Sequence, residues 1–160
     1  MKKIQIILII LIIIWMTVIF CFSAQDADDS SKTSGRTLKV IVDTLPETKD
    51  LKETEKEEII EDWQPTIRKL AHYSIYTIGG VLLYAFFNTT ECINAKKVIY
   101  TILSGACYAI TDEFHQYFVD GRSSEIRDVC IDTAGIITGM IIMIFITKLK
   151  ERMARKKHDI

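Results

Sequence analysis

Nineteen uncharged and mostly apolar residues run from Ile4 to Phe22. A helix of that length crosses a bilayer core of about 30 Å. A cleaved signal peptide has an apolar region of about 7–15 residues and a small-residue cleavage site, and Phe22-Ser23-Ala24 does not supply one. Cys21 stands where a lipoprotein cleavage box would have its cysteine, but Phe20 occupies a position that needs a small residue. The reading is a retained membrane helix. A second apolar run covers Leu70–Phe87 and is interrupted by His72. A third, Val98–Thr111, reaches spanning length if the helix continues to Gln116. A fourth covers Val129–Ile146 and contains Asp132. The pattern predicts an all-α polytopic membrane protein, a four-helix transmembrane bundle in one domain over 1–160, with spans at about 4–22, 70–87, 98–116 and 129–146.

The charged residues orient these spans. Lys2 and Lys3 precede the first, and Lys96 and Lys97 precede the third. Lys148, Lys150, Arg152, Arg155, Lys156 and Lys157 follow the fourth. With four spans all three clusters fall on one side, which the positive-inside rule makes cytoplasmic. Both termini are then expected in the cytoplasm. The insert 23–69 and the connection around 112–128 are expected outside. In the insert, Leu38, Ile41, Val42 and Leu45 recur at helical spacing and stop at Pro46, and the segment from Lys49 to Trp63 is a second, charge-rich helical pattern. Two short extracytoplasmic helices are expected there.

Composition agrees with this segregation, at 49% hydrophobic yet 26% charged. The formal net charge of -1 and the lack of a basic stripe with interleaved aromatics give nucleic-acid binding no support. Cys21, Cys92, Cys107 and Cys130 form no CxxC pair and no zinc-like spacing.

Polar residues recur inside the apolar runs at helical steps. Arg68, His72, Tyr76 and Gly79 share a face of the second span. Gly105, Ala109, Asp112 and Gln116 share one in the third, with Glu113 beside it, and Asp128, Asp132, Gly135 and Gly139 share one in the fourth. Each stripe is polar at its outer end and small toward the middle. Gly135 and Gly139 have the spacing of a close-packing membrane pair. Ionisable residues inside a span cost about 2.5–3.5 kcal/mol on insertion scales, and so mark a partner or a function. Taken alone, Asp112, Glu113, His115 and Gln116 could simply open an aqueous loop, and Asp132 could pair structurally with Arg122 or Arg127. Three stripes polar at the same end point instead to an outward polar cleft.

His72, Asp112 and Glu113 are the candidates for proton transfer in that cleft. Arg68 and Arg122 could clamp an anion, with Lys69, Tyr76, His115, Gln116, Asp128 and Asp132 as further ligand-binding candidates. Asp112, Glu113, Asp128, Asp132, His72 and His115 are also of the types that bind divalent cations. No pair among them has a diagnostic spacing, so the sequence assigns no metal and no cofactor.

The segments Arg68–Tyr76 ("RKLAHYSIY"), Asp112–Asp128 ("DEFHQYFVDGRSSEIRD") and Asp132–Gly139 ("DTAGIITG"), with "FSAQ" at Phe22–Gln25, resemble the VanZ-like family of bacterial membrane proteins. The matching positions include Arg68, Lys69, His72, Tyr76, Asp112, Glu113, His115, Gln116, Gly121, Arg122, Asp128 and Asp132. The resemblance implies a cell-envelope setting and an association with resistance to the glycopeptide teicoplanin, without naming a reaction. The expected partners are membrane lipid and an envelope ligand, such as a lipid-linked phosphate or a peptidoglycan-related molecule. The alternatives are a non-catalytic scaffold that alters drug access and a small transporter; the second has no paired broken helices to support it.

Overall fold

The computed structural model describes residues 2–48, 50–122 and 124–158. Lys49 and Ser123, which the sequence reading included in the insert pattern and in the Asp112–Asp128 segment, lie outside the described residues, as does the side chain of Lys157. The described residues form five helices, α1 (Lys3–Ser23), α2 (Ala27–Thr44), α3 (Glu53–Asn88), α4 (Asn94–Gln116) and α5 (Ile126–His158), and no strand. By length and composition α1, α3 and α5 can each cross a membrane. α4 is not among them, because Lys96, Lys97, Asp112 and Glu113 dilute its apolar run.

α1 is apolar all round but buries only a narrow row, Leu8, Trp15, Ile19 and Ser23. Ile6, Ile7, Ile10, Ile13 and Ile14 stay exposed, as do Phe20 and Phe22. In water this would be one large apolar patch, whereas lipid accepts it as the outer face of a span.

Contacts along α1 establish the helix directions. Near its start Gln5 Nε2 donates to the carbonyl oxygen of Thr89 at 3.5 Å, just past the end of α3. Midway, the Trp15 ring lies 5.7 Å from Tyr76 of α3 and 5.2 Å from Tyr108 of α4, and its Nε1 donates to the carbonyl oxygen of Ile75 at 2.9 Å. At its end Ser23 meets Gln116, the last residue of α4. α1 and α4 thus run one way, and α3 and α5 run the other. The lysines at 2–3, at 96–97 and along the end of α5 collect at one end of the bundle, and the polar ends of the three stripes collect at the other.

Glycines allow the helices to meet. A Cβ on Gly139 would collide with the carbonyl oxygen of Thr77, and one on Gly135 would stand 2.5 Å from that of Tyr73, so these two residues form the contact between α5 and α3. A Cβ on Gly80 would collide with the carbonyl oxygen of Ile136. The Ile136 side chain, fully buried, fills the space left by Gly105 of α4.

The insert differs from expectation. Its first helical pattern forms α2, capped at its start by Asp26, whose side chain accepts from the Asp29 N–H at 2.8 Å. Its second pattern is not a separate helix but the first half of α3. Between Glu53 and Leu70 the only helix breaker is Pro65, which removes a single backbone hydrogen bond. α2 packs antiparallel along that half: Gln64 Nε2 donates to the carbonyl oxygen of Ser31 at 2.5 Å, and Lys56 pairs with Asp43 at 3.0 Å. α2 presents a four-step row, Ser30, Ser34, Leu38 and Val42, to this contact, while Ile41 and Leu45 remain exposed. The 36 residues of α3 extend about 54 Å, far more than a bilayer core needs. The charged first half of the helix is the part that packs against α2.

Candidate functional site

The last two turns of α4 carry Asp112, Glu113 and Gln116, all buried. They close the polar end of the bundle, where α1 ends and α5 begins. Gln116 is the hub. Its Nε2 lies 3.2 Å from Asp112 Oδ2, 3.4 Å from Glu113 Oε1 and 3.5 Å from Ser23 Oγ, and its Oε1 accepts from Arg122 Nη1 at 2.9 Å. Tyr76, fully buried on α3, donates to Asp112 Oδ2 at 3.3 Å from below. Glu113 Oε2 accepts from the Glu125 backbone N–H at 3.1 Å, which ties α4 to the chain entering α5.

The connection between α4 and α5 turns at Gly121, whose φ of 71° lies in the left-handed region that favours glycine. The turn carries Arg122 inward. Arg122 Nε donates to the carbonyl oxygen of Gln25 and Nη2 to that of Phe22, both at 3.2 Å. With Gln116 this engages three of its five N–H groups, none of them with a carboxylate.

These residues surround a polar cavity of about 100 Å³. α3 contributes Arg68, Lys69 and His72, and α4 contributes Glu113 and Gln116. The connection adds Gly121, Arg122 and Glu125, and α5 adds Asp128, Ile131 and Asp132. Lys69 is neutralised within the wall, 2.8 Å from Asp128 and 3.6 Å from Glu125. Arg68 forms no ion pair among the described residues. Burial holds the Arg122 guanidinium below its usual pKa, and the neighbouring Arg68 charge adds to this. Two guanidinium groups therefore face one small cavity with no acid paired to either.

At the floor His72 Nδ1 stands 3.8 Å from Asp132 Oδ1. Asp132 is 1% exposed, and neither carboxylate oxygen accepts a hydrogen bond from any described group. His72, Asp112 and Asp132 each offer one ligand atom, and the three atoms lie within 4.8 Å of one another. His72 and Asp132 line the cavity and Asp112 lies just behind them, so an imidazole and two carboxylates, groups of the types used in proton transfer, cluster at one end of it.

The structure thus brings Arg68, Lys69, His72, Glu113, Gln116, Arg122, Asp128 and Asp132 to one cavity, with Asp112 and Tyr76 directly beneath. His115 is not among them. Its ring stacks on Phe20 of α1, with centroids 4.5 Å apart and planes 28° off parallel. On α4 it lies about 60° round from Asp112, on the side away from Glu113, and faces α1. Glu125, not among the sequence candidates, lines the cavity from a connection without periodicity, its one signal being its place in the segment Asp112–Asp128. The carbonyl groups of Phe22 and Gln25, which hold Arg122, are signalled only by the segment Phe22–Gln25.

A second cavity of about 220 Å³ opens between α1, α2 and α3. Ile19, Phe22, Ile67, Ala71 and Ile75 give it an apolar wall on the α1 and α3 sides, Ser30, Thr33, Ser34 and Thr37 close it from α2, and it shares Arg68, His72 and Arg122 with the polar cavity.

The family profile described as VanZ/LLP1 matches residues 8–147, most of the chain and every element of the site. No curated protein and no solved structure matches the chain.

Proposed function

The chain belongs to the VanZ/LLP1 family, and from that membership and the cavity we propose a four-pass protein of the bacterial cell envelope that binds an anionic envelope ligand. In this reading α4 is the fourth span, with its acids turned inward so that none faces lipid. The basic clusters lie in the cytoplasm with both termini, and the cavity opens outward. Arg68 and Arg122 hold the anion. His72, Asp112 and Glu113 stand where a proton could be moved to or from it. An envelope role linked to glycopeptide resistance accords with the family.

The observation that carries the reading is the facing pair Arg68 and Arg122, neither with a carboxylate partner, beside a cavity of about 100 Å³. An anion between them relieves the repulsion that disfavours the Arg122 charge. The apolar cavity on the other side of the same residues favours a ligand with a hydrocarbon part, such as a lipid-linked phosphate. A non-catalytic role in drug access draws separate support from α2 and the outer half of α3, a layer beyond the apolar level that catalysis in the cavity does not require.

Titration of the purified protein in detergent with farnesyl phosphate and with farnesol tests the proposal. The phosphate should bind at least about tenfold more tightly than the alcohol, and Arg68→Gln and Arg122→Lys should erase that difference. Equal affinities for phosphate and alcohol would overturn it.

A further inference from the structure

We infer that His72, Asp112 and Asp132 form a binding site for one divalent transition-metal cation, of the manganese or zinc class, at the floor of the polar cavity. The site goes beyond the anion-binding reading and does not depend on it.

The first support is Asp132. It lies in an apolar helix, is 1% exposed and has no hydrogen-bond donor on either carboxylate oxygen. Buried carboxylates are otherwise paired or coordinate a metal. The one cation-forming group beside it, His72, stands at 3.8 Å, beyond hydrogen-bond range.

The second support is spacing. Ligand atoms bound at about 2.0–2.2 Å to one cation stand about 3–4.4 Å from each other. The three ligand atoms here lie within 4.8 Å of one another, so a cation seats between them with small side-chain movements. They come from three different helices, α3, α4 and α5, which is why no local motif announces them.

The third support is the surroundings. Tyr76 and Gln116 both donate to Asp112 Oδ2 and so hold the plane of that carboxylate, as outer partners of metal ligands do. Lys69 is already neutralised by Asp128 and Glu125. The unpaired guanidinium groups of Arg68 and Arg122 line the cavity as well, so remaining coordination positions face the space where an anion would sit. One imidazole with two carboxylates suits manganese or zinc better than calcium or magnesium, which prefer oxygen alone.

The test uses the full-length protein in detergent, stripped with a chelator and titrated with manganese chloride. Electron paramagnetic resonance should show one equivalent of free-ion signal lost per chain. Protein labelled with 15N-histidine should show nitrogen coupling to the bound manganese, absent in His72→Gln. Asp132→Asn and Asp112→Asn should each weaken binding about tenfold or more, while Asp43→Asn, on the outer surface, should leave it unchanged. Absence of binding, binding without histidine coupling, or undiminished affinity in Asp132→Asn would overturn the inference. If a carboxylate variant does not fold, the histidine coupling in the wild-type protein still decides. Loss of the anion reading would appear separately, as equal binding of farnesyl phosphate and farnesol.

Discussion

His72 Nδ1 and Asp132 Oδ1 face each other at 3.8 Å across the contact between α3 and α5, too far apart to satisfy each other by a hydrogen bond. A buried carboxylate in that position weakens the fold that contains it, because its lost hydration is not replaced. Asp132→Asn keeps the shape and removes the charge. In chelator-treated protein this variant is expected to melt at or above the wild-type temperature. A melting temperature several degrees lower would mean that the charge is compensated in the unliganded protein.

Gly139 packs against the backbone of α3 at Thr77 and Val81, where a Cβ has no room. Gly139→Leu must push α5 away from α3 and is expected to cost about 1–3 kcal/mol or more. The readout is folded yield and melting temperature in detergent. Ile141→Ala, on an exposed face two residues on, should change both far less. Wild-type stability in Gly139→Leu would contradict the close approach of the two helices.

In the proposed orientation the lysine and arginine clusters are cytoplasmic and the cavity serves the outside. On a background with the four native cysteines replaced by serine, a cysteine at Asp120 should react with a membrane-impermeant maleimide in intact cells. A cysteine at Lys150 should react only after permeabilisation. The reverse pattern would place the cavity on the cytoplasmic side and remove envelope ligands from consideration.

The juxtaposition of the three polar stripes was legible because it depends only on helical period: Arg68 with His72 and Tyr76, Asp112 with Gln116, Asp128 with Asp132. The same period placed Gly135 and Gly139 on one face, and that face proved to be the contact with α3. What escaped depends on tertiary context. The pattern from Lys49 to Trp63 reads as a helix of its own, whereas α3 runs on through Pro65 into the apolar run, with α2 packed along its first half. His115 lies two residues from Glu113 in sequence yet turns to Phe20, because each residue rotates about 100° around the helix. Glu125 lies in a connection with no period, and the carbonyl oxygens that hold Arg122 belong to the backbone, which leaves no mark in a side-chain pattern.

The final prediction joins the site to a cellular outcome. Expression of the wild-type chain in a teicoplanin-sensitive host is expected to raise the inhibitory concentration of that drug. Asp112→Asn should abolish the increase while leaving the amount of protein in the membrane unchanged. It preserves shape and can still accept from Tyr76, but it loses the anion that Gln116 and Tyr76 now hold in place. Arg122→Lys should also abolish it. A lysine provides a point charge without the planar fork that reaches Gln116, Gln25 and Phe22 and still has N–H groups free for an oxyanion. His115→Gln, by contrast, should retain most of the effect, since its ring faces α1 and not the cavity. Quantitative membrane blots alongside the susceptibility series separate loss of function from loss of protein. Full resistance in both Asp112→Asn and Arg122→Lys, at equal abundance, would remove the cavity from the function and favour the outer layer of α2 and α3 acting as a scaffold.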